Sequence, residues 1–265
     1  MEKVKFVFCV LVYRNTEDIK EFIASVKKHV TDFKIIIINS YYDEDSMAEF
    51  RKIAEDNQCD FINIPNKGYG YGNNRGIEFA NNKYTYDFLI ISNPDILIKQ
   101  FPEKYIYESG RAVIAPEIKN LAGKYQNPMQ VYNLRFPTWL IYKGVKKNNK
   151  WLLGFGNLIN KIVRTISICW ERISKREIKV YQIHGSFFIL RHDVLDEIGI
   201  PYDEKMFLFA EEGYLAYLLK QKEIESYYCS KIKVKHKENG SMNFRNDINV
   251  QCKVSCIYFY ERYYF

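Results

Sequence analysis

The 265-residue chain contains no C-x-x-C pair, only four histidines and only seven prolines. Its six cysteines (Cys9, Cys59, Cys169, Cys229, Cys252, Cys256) are scattered, which excludes a disulfide scaffold and a cysteine-rich zinc module and leaves them as packing residues. Cys252 and Cys256 share one helical face, yet no other thiol or imidazole lies close in sequence to complete a metal shell. Long apolar runs are missing too: no stretch approaches the roughly 20 continuous apolar residues of a bilayer-spanning helix. The first run, Phe6 to Tyr13, is too short for the apolar core of a secretion signal and closes on Arg14 and Asn15. It therefore reads as a buried strand, and the expected location is the cytoplasm. There is no internal repeat and no low-complexity linker. With 47% of residues hydrophobic, one substantial core can be buried, so a single domain over 1–265 is expected.

Glycine is sparse except in one place, NKGYGYGNNRGIEFA at 66–80, where it occupies 68, 70, 72 and 76. A dinucleotide fingerprint needs its third glycine at 73 or 75, so that reading fails. What remains is a loop that lets backbone approach a ligand, opening a helix over about 74–81 whose first N–H groups favour an anion; a plain flexible turn is the competing reading.

The net charge of +7 is unevenly distributed. Ten basic residues fall between Lys143 and Lys179 against two acids, Glu171 and Glu177, so this segment holds the whole excess. Its apolar residues Phe155, Leu158, Ile159, Ile162, Val163, Ile166, Trp170 and Ile173 recur at helical spacing, with Lys161, Arg164, Arg172 and Lys175 largely between them. That burial period argues against nucleic acid. It leaves two choices, a helix packed on the domain with a solvated basic face, or a helix lying on an anionic bilayer as a peripheral membrane contact. The tail IYFYERYYF poses a similar choice between core, homodimer contact and membrane.

Strand-like and helix-like segments alternate through the first half: strands over 4–13, 34–38, 61–64 and 88–92, and helices over 18–30, 46–57 and 74–81. The alternation predicts an α/β fold with a mostly parallel sheet flanked by helices. In the second half 180–190 and 227–236 read as strands and 211–221 as a helix. Ligands of such sheets bind beyond the carboxyl ends of the strands, here Tyr13 to Asn15, Asn39-Ser40, Pro65-Asn66 and Asn93-Pro94-Asp95. Asp95 is either a turn residue or a hard ligand for Mg²⁺ or Mn²⁺. Glu211 and Glu212 open a helix with an apolar face at Leu215, Leu218 and Leu219, as helix-dipole acids or as a general base whose pKa its neighbour raises. His236, in KHKENGS, ends a strand and is either structural or a ligand.

In sequence order, the glycine-asparagine loop, N-P-D after an apolar strand, the GSFFILR strand, the acidic pair opening a helix and the late H-x-x-x-G-S resemble family 2 inverting glycosyltransferases of the GT-A fold. The likeness extends to their rhamnosyltransferase-like branch of bacterial O-antigen and capsule synthesis, and covers most of 4–125 and 180–241. It implies a nucleotide-sugar-binding half over about 1–125, a basic helical insertion over about 126–180 and an acceptor and catalytic half over about 180–265.

The resemblance further assigns Tyr13, Asn15, Asn39, Asn66, Gly68, Tyr69, Gly72, Asn74 and Asn93 to the nucleotide-sugar donor. Asp95 and His236 go to a divalent metal (Mg²⁺ or Mn²⁺), His184 and Gly185 to the acceptor, and Glu212, with Glu211, to catalysis. The acceptor implied is a glycan or lipid-diphosphate-linked glycan. Two positions depart from the family pattern: Asn39 stands where aspartate is usual, and Tyr214 replaces a frequent aspartate. A catalytically degenerate nucleotide-sugar binder is the alternative. A sugar nucleotidyltransferase ranks below it, because no G-x-G-T-R-like loop follows the first strand.

Overall fold

The computed structural model describes residues 1–238 and 248–265, so the Gly240-Ser241 turn of the sequence reading lies outside the described residues. In chain order the elements are β1 (Glu2–Val12), α1 (Glu17–His29), β2 (Phe33–Ser40), α2 (Glu44–Asn57), β3 (Asp60–Ile64), α3 (Tyr69–Lys83), β4 (Tyr84–Ser92), β5 (Ile96–Gln100), α4 (Glu103–Glu108), β6 (Val113–Asn120), α5 (Arg135–Lys146), α6 (Lys150–Ser174), β7 (Ile178–Val180), β8 (Phe187–Arg191), α7 (His192–Ile198), α8 (Glu211–Gln221), β9 (Ser226–His236) and α9 (Ile248–Phe259), which runs on as a π-helical turn over Tyr260–Tyr264. The strands join in one sheet of order β3-β2-β1-β4-β8-β6-β9-β5, with β7 on β9.

The parallel order expected of the first half holds over β3-β2-β1-β4. Beyond β4 the sheet is mixed: β8 runs antiparallel to both β4 and β6, β6 and β9 are parallel, and β5 is antiparallel to β9. The short strands β5 and β6 had no counterpart in the sequence reading.

β1 explains why the sheet is covered on both faces. Phe6, Phe8, Val10 and Val12 join the core under α1, with Ile19, Phe22, Ile23 and Val26, whereas Val7 and Cys9 join the opposite core with Ile77 and Ala80 of α3. Strand side chains alternate between faces, and each fully buried Phe or Ile contributes about 1.5–3 kcal/mol.

The glycine-rich segment is not a loop. α3 begins at Tyr69, five residues ahead of the expected start, and its glycines are packing surfaces. A Cβ at Gly72 would lie 2.4 Å from Leu11 Cδ1, one at Gly76 2.4 Å from Ile38 Cδ1, and one at Gly70 2.9 Å from Tyr202 Cβ. Close approach of the helix to the sheet, which only glycine permits, outweighs the intrinsic penalty of about 1 kcal/mol for glycine in a helix.

The basic segment forms a hairpin of α5 and α6. Gly144 sits against the backbone of Leu153, and Gly156 against the carbonyl of Pro137 and against Ile141. The aromatic tail is packed inward. Phe259 covers Gly213 of α8, Tyr263 lies on Tyr214 at 4.9 Å between ring centres, and Phe265 lies on Tyr142 of α5 at 5.3 Å. Of the tail only Phe259 is buried, and Phe265 stays about half exposed. No helix among the described residues is long and apolar enough to cross a membrane.

Candidate active site

Register brings distant residues together. In the antiparallel β5/β9 pair Ile96 lies opposite His236, so Asp95, one residue before β5, meets the end of β9. The Lys237 N–H donates to the Asp95 carbonyl at 2.9 Å, and His236 Nε2 lies 3.3 Å from Asp95 Oδ1 without hydrogen-bond alignment. Asp95 is buried, and neither of its carboxylate oxygens accepts a hydrogen bond.

The tautomer of His236 follows from its other side. Gln126 donates through Nε2 to Glu238 at 2.8 Å, which turns its Oε1 toward His236 Nδ1, also at 2.8 Å. An amide oxygen only accepts, so Nδ1 carries the proton. The Nε2 lone pair is left beside an unpartnered carboxylate.

Two bare acceptors facing each other fit a divalent cation. Among the described residues no group of three or more His, Cys, Asp or Glu side chains is gathered around one point. The pair therefore suits a Mg²⁺-type ion that takes its remaining oxygens from phosphate and water.

The β4/β8 pair supplies the second half. Ser92 lies opposite Phe187, and the Asn93 N–H donates to the Ser186 carbonyl at 2.8 Å, which sets His184-Gly185-Ser186 beside the N-P-D turn. The Tyr69 hydroxyl bridges the two, within 3.1 Å of Asn93 Oδ1 and 2.9 Å of the Gly185 carbonyl. The Gly185 N–H donates to Glu212 Oε1 at 3.3 Å. A Cβ at Gly185 would lie 2.7 Å from that oxygen, so glycine is what lets the carboxylate come so near.

His184 has its own fixed state. Its backbone N–H donates to Asn127 Oδ1 at 2.7 Å, while the Ser186 N–H donates to its Nδ1 at 3.1 Å. Nδ1 is thus an acceptor and the proton sits on Nε2. Burial, then the neighbouring His236, brings its pKa down to about 3, so the ring is a neutral donor. The His184 and His236 rings are 5.8 Å apart.

The acidic pair divides its roles by exposure. Glu211 is buried, with Oε1 unpartnered, and Glu212 is half-buried. Burial pushes both carboxyls above the usual range, and Glu212 adds to the shift on Glu211. Like-charge repulsion, which the sequence suggested as the cause, is second to desolvation. Burial raises the pKa of Tyr69, and Glu212, Glu211 and Asp95 each add to that shift.

No family model matches the chain. It is 21% identical over 231 residues to Agl10 of Haloferax volcanii, a low-salt glycan biosynthesis hexosyltransferase, across 85% of this chain and 65% of that protein. Among solved structures, TarS of S. aureus matches with a TM-score of 0.58 at 13% identity, over 88% of this chain and 36% of TarS. GalNAc-T7, crystallised with UDP, GalNAc and Mn²⁺, matches at 0.60 and 11% identity, over 97% and 48%. The chain has the GT-A glycosyltransferase fold. It spans 65% of the curated relative's length and less than half of either of these structures.

On this GT-A frame, several expected donor contacts sit in the packing instead. Gly72 abuts Leu11. Asn74 is buried and donates to the Tyr202 carbonyl at 3.0 Å and to Glu204 at 3.1 Å, while a Cβ on Gly68, at φ 110°, would strike the Phe207 backbone. Asn74 and Gly68 thus seat the 202–210 segment that delivers Glu211 and Glu212. Asn15 is engaged locally, donating to Asp18 at 2.6 Å and accepting from the Glu17 N–H. Asn66 is exposed at the end of β3. Asn39 is buried and donates to Asn63 at 2.7 Å, with its own Oδ1 left unpartnered. Tyr13 meets Tyr42 edge to face at 5.6 Å, and the Arg14 guanidinium lies 4.0 Å over the Tyr42 ring.

Residues that sequence reasoning missed hold this candidate site in shape. Asn127 pins His184 and also donates to the Pro116 carbonyl at 3.0 Å. Lys237 is nearly buried and pairs with Asp18 and with Glu21, which tie β9 to the start of α1. Phe209 and Ala210 both take left-handed φ, 75° and 69°, just before Glu211. Such non-glycine residues are rare and cost of order 1–3 kcal/mol each, and they gather where geometry is functional. A groove of about 310 Å³ lined by Arg111, Arg191 and Tyr227 belongs to a different edge, remote from Asp95 and Glu212.

Proposed function

We propose that the chain is an inverting, metal-dependent glycosyltransferase. It moves a sugar from a nucleoside-diphosphate sugar, dTDP-rhamnose or a UDP-hexose, to a hydroxyl of a glycan or lipid-linked glycan in bacterial cell-surface polysaccharide synthesis. The observation that carries this reading is a pair of unlike carboxylates linked through the Asn93–Tyr69–Gly185 bridge. Asp95 is buried and unpartnered beside the bare Nε2 of His236. Glu212 is fixed through Gly185, with its pKa raised by burial.

Asp95 and His236 would hold Mg²⁺ or Mn²⁺, which when bound neutralises charge on the diphosphate. GalNAc-T7, of like fold, was crystallised with Mn²⁺ and UDP, and TarS residues 1–349 with UDP-GlcNAc. Glu212 takes the proton from the acceptor hydroxyl as its oxygen attacks the anomeric carbon, opposite the leaving group. The new C–O bond forms as the C–O bond to the diphosphate breaks, its electron pair leaving on the diphosphate oxygen. The products are an inverted glycoside, a nucleoside diphosphate and protonated Glu212. A base whose pKa is raised toward the working pH takes that proton more effectively. Neutral His184, a donor through Nε2, orients the acceptor with the Gly185 backbone. The buried, unpartnered Asn39 Oδ1 at the end of β2 would accept from a base imide N–H, which suits a uracil or thymine donor.

The test is nucleoside diphosphate release from UDP- and dTDP-sugars with Mn²⁺. Release abolished by Glu212→Ala and by Asp95→Ala supports the reading. Donor binding with no release under any acceptor establishes the degenerate binder instead.

A further inference from the structure

α6 is unusual in having apolar residues on its outer side. Trp151, Phe155, Ile162, Ile166, Trp170 and Ile173 are 50–89% exposed. At about 100° per residue they fall in one stripe about 100° wide, along a helix about 37 Å long. The opposite side is firmly held. Gly156 is closed by α5, Glu171 accepts from Ser230 of β9 at 2.6 Å, and Arg172 donates to Glu117 of β6 at 3.1 Å. The helix cannot roll its stripe inward without breaking these ties.

The charge around the stripe has one sign. Lys147, Lys150, Lys161, Lys175 and Arg176 are exposed. The two acids of the segment are used elsewhere, Glu171 on Ser230 and Glu177 on Arg111 at 2.8 Å. Isolated surface apolar residues need no explanation, but a contiguous patch of this extent does. A second copy of the chain would set one basic rim against another, a like-charge arrangement that disfavours association. A nucleic acid would find aliphatic residues where phosphates need cations.

We propose that the outer face of α6 docks the protein on an anionic lipid bilayer, the helix lying in the interfacial plane with its apolar stripe among the upper acyl chains and its lysines among the headgroups. Tryptophans near both ends suit the interface, where an amphipathic ring has one apolar and one wet side. Arg164, on the same helix, is close enough to His184 to affect it electrostatically. On the transferase reading above, docking also presents the site to an acceptor carried by lipid; the docking itself does not rest on that reading.

The test uses the full chain with no donor or acceptor present. Sedimentation with vesicles of phosphatidylcholine alone is compared with vesicles containing about 30% phosphatidylglycerol, and tryptophan emission is recorded. The expected result is binding to the anionic vesicles with a blue shift, weakened by about 0.5 M NaCl. Ile162→Glu with Ile166→Glu should reduce binding at least tenfold, and Lys147→Glu with Lys161→Glu by roughly tenfold. Both variants should keep the wild-type circular dichroism melt, since all four positions are exposed. No binding to anionic vesicles, binding that the variants leave unchanged, or a wild-type dimer that the isoleucine variant converts to monomer would overturn the proposal, the last by giving the face to a second copy.

Discussion

Asp95→Asn separates stability from function with opposite signs. The substitution is isosteric, and its site is 1% exposed with both carboxylate oxygens unpartnered. A buried charge without hydrogen bonds is more costly than a buried neutral amide, which retains one or two unmet groups of its own. Without metal, removing the charge should stabilise the protein by about 1–2 kcal/mol, the lower part of the range for unsatisfied buried groups. For a chain of this size that corresponds to a melting temperature higher by about 2–8 °C. Calorimetry in EDTA measures it. With Mn²⁺ and UDP near 100 times their dissociation constant, the wild type should gain about 2.7 kcal/mol and the variant almost nothing. The order of stability then reverses. A variant no more stable than wild type in EDTA, yet equally stabilised by Mn²⁺ and UDP, would refute the assignment of Asp95 to the metal.

Gly185→Ala puts a methyl 2.7 Å from Glu212 Oε1; kcat should fall about tenfold to a hundredfold with little change in donor KM, as read from initial rates. Gly76→Ala, 2.4 Å from Ile38 Cδ1, should destabilise the fold by about 1–3 kcal/mol in urea unfolding without touching the site. The rate should rise with pH along a limb set by Glu212, whose burial places it above the ordinary carboxylate range, and that limb should vanish in Glu212→Gln. His184 acts on stability in another window. Its folded pKa is lowered to about 3, so acid protonates the unfolded chain first, and stability should drop as pH falls from about 6.5 toward 3, less steeply in His184→Gln.

The parts of this molecule legible in its sequence are those with local causes. β1 announces itself by a run apolar at every position, as a strand covered on both faces must be, and α8 and β9 begin and end within a residue of their expected limits. α3 was misjudged at its start because glycine reads locally as a breaker, whereas here Leu11, Ile38 and Tyr202 require its absent side chain. The Asp95–His236 contact depends on β5 pairing antiparallel with β9, a long-range register that no local pattern encodes. The left-handed Phe209-Ala210 elbow was equally hidden, since neither residue is of the type that favours that backbone. The aromatic tail, whose composition suits a core as well as an interface, buries Phe259 and leaves Phe265 half exposed.

The order β6-β9-β5 bears on how the protein is made. β5 and β6 leave the ribosome early, but the strand that fits between them is encoded about a hundred residues later. At roughly 5–20 residues per second the slot stays open for some 5–20 s. During that time Asp95 has no imidazole beside it, and two strand edges are unpaired and exposed to wrong partners. The last strand in the sheet thus acts as a keystone. Until it enters, a nascent chain that has already built the parallel half keeps Asp95 and His236 apart.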